Sequence, residues 1–221
     1  MTRVVHFSQD FRRGKPQLGG FSRICGLTAD GNDHVIVTLH SGDFGVDEWE
    51  VDHLRVVSFG IGTARVRSWS RRRVARDIGA RAARWLLDHG HMPDVLFGHS
   101  QLMNFDVLSA LRSALCTKVP LLWEANGIIG HQLFDGSRHP AHFWYAAQQY
   151  RVFHRADHVI AQTERSKAVI IERFRVKADR VSVVTNGFDA ASVNAVKHYE
   201  KLPVPLTAGA HRAVSHPASG L

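Results

Sequence analysis

Residues 156–189 read ADHVIAQTERSKAVIIERFRVKADRVSVVTNGFD, and this stretch decides the fold. His158–Ala161 is a short apolar run of strand length. Thr163 follows where a hydroxyl can accept from a first-turn backbone N–H, so it reads as a helix N-cap. Glu164–Phe174 has helical spacing, and Val181–Thr185 is a second β-branched run closed by the turn pair Asn186-Gly187. Strand, helix and strand in that order predict a crossover unit with its two strands parallel.

The same alternation extends back to the N-terminus. Val4–Phe7 reads as a first buried strand, Gly20–Ala29 as a helix after a Gly-Gly turn, His34–Leu39 as a second strand and Leu54–Phe59 as a third. Arg67–His89 has helical period, with Val74, Ile78, Ala82, Trp85 and Leu86 on one face. Asp94–Phe97 is a strand, Leu102–Leu115 a helix, and Val119–Trp123 a strand with Pro120 near its start, where a missing donor is tolerated. Ala141–Arg155 is an aromatic-rich helix. Strands that are apolar throughout are covered on both faces. The expected fold is therefore α/β, a Rossmann-like, doubly wound, mostly parallel sheet over residues 1–189. Residues 190–221 hold three of the seven prolines with many Ala, His and Ser, and read as an irregular or disordered tail.

Composition narrows the function classes. Hydrophobic residues make up 44% of the 221, enough for a real core. No apolar run approaches the roughly 18–20 residues of a membrane span. The start, MTRVVHFSQDF, has no long apolar stretch after its basic residue, so the expected location is cytoplasmic. Cys25 and Cys116 lie far apart in no paired motif and read as reduced, buried thiols. The net charge of +8 favours anionic partners without choosing among them. Nucleic acid is not expected, because no recognition motif accompanies the charge. His139 with His142, and His154 with His158, have helical ligand spacing, but no carboxylate or cysteine set completes a site, so no metal is expected.

In doubly wound sheets ligands bind beyond the carboxyl ends of the strands, so the residues there are the candidates. Gly19-Gly20, before the first expected helix, either lets backbone N–H groups approach a ligand or makes an ordinary tight turn. His99, in the loop expected after Phe97, is a weak candidate for proton transfer or for donation to a sugar hydroxyl, against a structural hydrogen-bonding role. Glu124, Asn126 and Gly127 bring a carboxylate, a carboxamide and a flexible residue to one loop. That set suits hydroxyl-rich ligands, because one planar polar group can serve two adjacent hydroxyls; the alternative is a capping loop. Thr163 is either a cap, the favoured reading, or a ligand contact.

Together these motifs resemble the N-terminal domain of family-4 glycosyltransferases of the GT-B type, over about residues 3–189. The resemblance rests on RVVHFSQDF with Leu18-Gly19-Gly20, on PDVLFGHS at 93–100, on VPLLWEANG at 119–127, on Arg155-Ala156-Asp157 with the run to Thr163, and on VSVVTNGFD at 181–189. The last two carry most of it, because their mutual spacing also fits. Many family members have a histidine where Asn126 stands, and some an arginine.

The resemblance implies one Rossmann-like half of a two-domain enzyme, the half that binds a saccharide or lipid-linked acceptor. The nucleotide-sugar donor is expected for the complete enzyme, on the other half, and no cofactor is expected on this chain. The family continues past Asp189 into a domain with two glutamates separated by seven residues. Glu164 and Glu172 match that separation but lie in the wrong half, so the chain is expected to lack the donor half and to be inactive alone. A non-catalytic sugar- or lipid-binding module, or a partner for a separate donor-domain polypeptide, is the alternative. Finally, Arg65, Arg67, Arg71, Arg72, Arg73 and Arg76, with Trp69 among them, either form a solvated helix face or dock at the inner face of an anionic membrane.

Overall fold

The computed structural model describes residues 1–9, 31–51, 54–62, 70–99, 102–128 and 140–185. The compact unit containing them runs from Met1 to Gly187; a second unit, Phe188–Leu221, lies outside the described residues, as does the tail expected at 190–221. The helix expected at Gly20–Ala29 and Cys25 also lie outside them; Cys116, expected to be buried, is instead exposed, in the turn after the helix Leu102–Ala114.

The strands are β1 (Arg3–Phe7), β2 (Asp33–His40), β3 (Val46–Val51), β4 (Leu54–Gly60), β5 (Val95–His99), β6 (Leu121–Ala125), β7 (His158–Ala161) and β8 (Val181–Val183). The helices are α1 (Arg71–Asp88), α2 (Leu102–Ala114), α3 (Pro140–Arg155) and α4 (Glu164–Glu172). The eight strands form one sheet in the order β3-β4-β2-β1-β5-β6-β7-β8, parallel except for the β3–β4 pair. This is the α/β, Rossmann-like arrangement that the alternation of strands and helices predicts.

Strand β3 was not foreseen. VDEWEV offers no apolar face: Val46, Glu48 and Glu50 are exposed and Asp47, Trp49 and Val51 half-buried. It is an antiparallel edge strand, where only Trp49 needs cover, and charged residues on such an edge discourage further pairing. Several other boundaries differ, and two of them bear on the site. β5 and β6 run on to His99 and Ala125, so His99 and Glu124 sit in strands rather than in the loops after them. Polar side chains end an apolar run in sequence, but the parallel ladder continues beneath them, pairing His99 with Glu124.

The two faces of the sheet differ in chemistry. One carries Val5, Phe7, Val35, Val37, Val57, Leu96 and Trp123 and packs on Ala75, Ile78, Ala82 and Leu86 of α1 and Leu108 and Leu111 of α2. The other carries the smaller apolar cluster of Ile36, Leu54 and Val56 under Trp49, together with His6, His34, His99 and Glu124. Close approach of α1 to α2 requires Gly79, where an added Cβ would stand 2.6 Å from the Ala110 Cβ and 2.7 Å from the Leu111 backbone N. Asp106 of α2 ties three helices together. It accepts from Arg71 Nε of α1 at 2.6 Å and from Arg151 of α3, and is itself buried.

The Ala-Asp motif that anchors the sequence reading proves architectural. The Asp157 carboxylate accepts from the Leu121 backbone N–H at 2.8 Å and from Arg112 Nη1 at 2.6 Å, securing the start of β6 and the end of α2.

Candidate functional site

The parallel register brings the carboxyl ends of β5, β6 and β7 side by side. Glu124, next to last in β6, is buried, while Asn126 and Gly127 just beyond the strand are exposed. Asn126 Nδ2 donates to Glu124 Oε2 at 3.4 Å, and Gln162 Nε2, just after β7, donates to Asn126 Oδ1. Gln149 Nε2 of α3 donates to the Gly127 carbonyl at 2.8 Å, holding the loop after β6 against that helix. A carboxylate and two carboxamides thus form a continuous polar rim. Thr163 belongs to a different interaction. Its hydroxyl accepts from the Ser166 backbone N–H at 3.0 Å and caps α4, so Gln162 is the polar residue that this strand end contributes to the rim.

His99 adjoins the rim from behind. Its Nδ1 lies 2.8 Å from Glu124 Oε2 and its Nε2 lies 3.2 Å from His6 Nδ1. His6 Nε2 in turn lies 2.9 Å from His34 Nδ1. Both ring nitrogens of His99 are therefore engaged within the protein. Asn104 Nδ2, in the first turn of α2, donates to the His99 carbonyl at 2.6 Å and fixes the end of β5. His6 is fully buried, and its pKa is pushed well below the ordinary 6.5, chiefly by burial and then by the neighbouring His99 and His34. It is neutral at physiological pH.

Sequence reasoning did not single out His6, His34 or Gln162. A signal for His6 existed: it interrupts an otherwise apolar strand, and a polar residue there must find a partner; His34, at the polar start of its strand beside Asp33, gave none. Gly19 and Gly20 lie outside the described residues.

Of the basic set, Arg65, Arg67 and Trp69 also lie outside the described residues. Arg71 is turned inward onto Asp106 and Gln148, with its side chain 12% exposed, because a neighbouring buried carboxylate needs its charge. Arg72, Arg73 and Arg76 are exposed on α1. Among the described residues no group of three or more His, Cys, Asp or Glu is placed to hold a metal ion. None of the described helices is long and apolar enough to cross a membrane.

A mostly parallel sheet with polar residues at its carboxyl ends is a Rossmann-like arrangement, the kind of scaffold that binds ligands there. Solved structures show the same fold. The E. coli trehalose-6-phosphate structure bound with UDP-2-fluoro glucose aligns with a TM-score of 0.54 at 13% identity, over 87% of this chain and 50% of that one. The catalytic domain of starch synthase IV from Arabidopsis thaliana, bound to ADP and acarbose, aligns at 0.53 and 12%, over 86% and 52%. A sucrose-phosphate synthase structure from Thermosynechococcus elongatus aligns at 0.55 and 13%, over 88% and 94%. The chain thus spans about half the length of the first two. No curated protein sequence matches it. The family model described as Glycosyltransferase Family 4 matches residues 24–192, and the chain belongs to that family.

Proposed function

We propose that this unit is the acceptor-binding half of a nucleotide-sugar-dependent glycosyltransferase. A saccharide or lipid-linked acceptor would lie on the rim of Glu124, Asn126, Gly127 and Gln162, and the donor on a second Rossmann-like unit facing it. The observation that supports this reading is the connected carboxylate–carboxamide–carboxamide rim at the strand ends. Planar groups of this kind can each serve two neighbouring hydroxyls, and this is the end of a parallel sheet where ligands bind.

Ligand-observed NMR on the purified chain, with methyl glycosides of common hexoses and with UDP-glucose as probes, tests this. Saturation should pass to glycoside protons, and Glu124→Gln and Asn126→Ala should abolish it. Transfer to the nucleotide alone, or to none of the glycosides, would overturn the assignment. Transfer that persists unchanged when a donor-domain polypeptide is added, with no product formed, would favour a non-catalytic sugar-binding module.

A peripheral role at the inner face of a membrane has its own supporting observation. Arg72, Arg73 and Arg76 are exposed on α1, and Phe143, Trp144, Tyr145 and Tyr150 are exposed on α3. Arg71 lies 5.4 Å from the Trp144 ring centroid, so the two helices meet there. Basic and aromatic residues together suit an anionic lipid interface. Co-sedimentation with vesicles of phosphatidylcholine, with and without phosphatidylglycerol at low salt, tests it; equal amounts pelleted by the two would dismiss it.

A further inference from the structure

Four buried polar side chains stand on the sheet face opposite α1 and α2, on the neighbouring strands β2, β1, β5 and β6: His34, His6, His99 and Glu124. Three successive hydrogen bonds connect them, at 2.9 Å, 3.2 Å and 2.8 Å. A set that existed only to fill a core would not need three ionisable rings joined nitrogen to nitrogen, since burying polar groups costs free energy that apolar side chains avoid.

The polarity of the chain follows from the chemistry of its ends. An ionised carboxylate can only accept, so His99 must carry a proton on Nδ1 and donate it to Glu124 Oε2. A neutral His99 then has its lone pair on Nε2, so His6 must donate from Nδ1. His6 is neutral, with its lone pair on Nε2, and so His34 must donate from Nδ1. With all three rings neutral, each carries one proton, and no ring can change tautomer without its neighbour changing too.

We propose that Glu124, His99, His6 and His34 form one coupled hydrogen-bond relay in which His6 and His34 are positioning residues for Glu124, acting through His99. The relay aims the carboxylate at the rim and commits it to accept from donors. A ligand hydroxyl is accepted by Glu124 and not by His99, whose nitrogens are both used within the protein. This deepens the proposed function and rests on its reading of the rim as a hydroxyl-binding site. The two buried histidines become determinants of what the rim can bind, although neither touches the ligand.

The test is imidazole 15N NMR on the full chain at pH 8. The expected result is that His34, His6 and His99 all carry their proton on Nδ1, with nitrogen–nitrogen coupling across both His–His hydrogen bonds. A proton on Nε2 of His6 or His34 would overturn the polarity, and absence of both couplings would overturn the chain. These readouts need no variant. With Glu124→Gln, which removes the charge that sets the polarity, the resonances of all three rings should move, including His34 three hydrogen bonds away. In a His6→Phe background the same substitution should leave His34 unmoved. A response confined to His99 would reduce the set to packed side chains. Glycoside binding measured on the same samples separates this proposal from the one beneath it. Loss of binding in Glu124→Gln with His34 unmoved retains the rim and removes the relay. Movement of His34 with binding unchanged retains the relay and removes the rim as the sugar site.

Discussion

The neutrality of His6 has a measurable consequence for stability. In the unfolded chain its imidazole titrates near the ordinary 6.5; in the folded protein, burial and then the neighbouring His99 and His34 push that value well down. Below about pH 6.5 the unfolded state therefore binds a proton that the folded state refuses. The sign is fixed: the contribution is fully present above about pH 6.5 and is lost as pH falls from there toward the folded value. Between pH 7.5 and 5.5 this one residue should remove about 1.4 kcal/mol, from the slope of about 1.4 kcal/mol per pH unit. For a unit of this size that corresponds to about 3–5 °C in Tm. The assay is thermal unfolding by circular dichroism at both pH values, for the wild-type chain and for His6→Gln. Glutamine can still donate and accept but does not titrate. Comparing each variant with itself across pH cancels the cost of the substitution and leaves the other histidines as a shared background. The wild-type Tm should fall by about 3–5 °C more than that of His6→Gln. Parallel falls would refute the reasoning, because they would mean that His6 takes its proton in the folded state as readily as in the unfolded one.

Three further outcomes follow from the packing. Gly79→Ala adds a Cβ 2.6–2.9 Å from Ala110 and the Leu111 backbone. The overpacking of about 1–3 kcal/mol should exceed the gain in helix propensity of about 1 kcal/mol, giving a net loss in urea unfolding; a gain would show that α1 and α2 do not cross there. Asp106→Ala leaves Arg71 and Arg151, with side chains 12% and 22% exposed, facing each other without their carboxylate. A loss of about 3 kcal/mol is expected by the same measurement, and a loss below about 1 kcal/mol would mean that water already serves these groups. Thr163→Ala removes the cap of α4 and should cost about 1 kcal/mol, with Thr163→Asn close to wild type. If glycoside binding fell while stability held, Thr163 would be a ligand contact instead.

The fold was legible where sequence and environment agree. Strands apolar on both sides, such as Val35–Val37 and Val56–Val57, have to be covered on both faces, and helices of crossover length between strands require parallel pairing. The edge strand Val46–Val51 was not legible, because one half-buried tryptophan amid acidic residues makes no pattern. The site was legible in half. Glu124 and Asn126 stand out as polar residues after an apolar run, with Gly127 beside them; the register places Glu124 near the strand end, and the other two follow just beyond it. Gln162 did not stand out beside the stronger capping signal of Thr163, and Arg71 looked like one more exposed cation in a basic run.

By itself, the sequence determined the class of fold, the family and the end of the sheet that carries the polar residues, because hydrophobic periodicity and motif spacing are local along the chain. Only the tertiary structure decided which partner each polar residue meets. His6, His34, His99 and Glu124 are separated by up to 93 residues between hydrogen-bonded neighbours. Parallel pairing across β2, β1, β5 and β6 is what brings them within 3.2 Å of one another. Hydrogen-bond partners are chosen by distance and direction in space, and local spacing carries no record of register across strands so far apart in the chain.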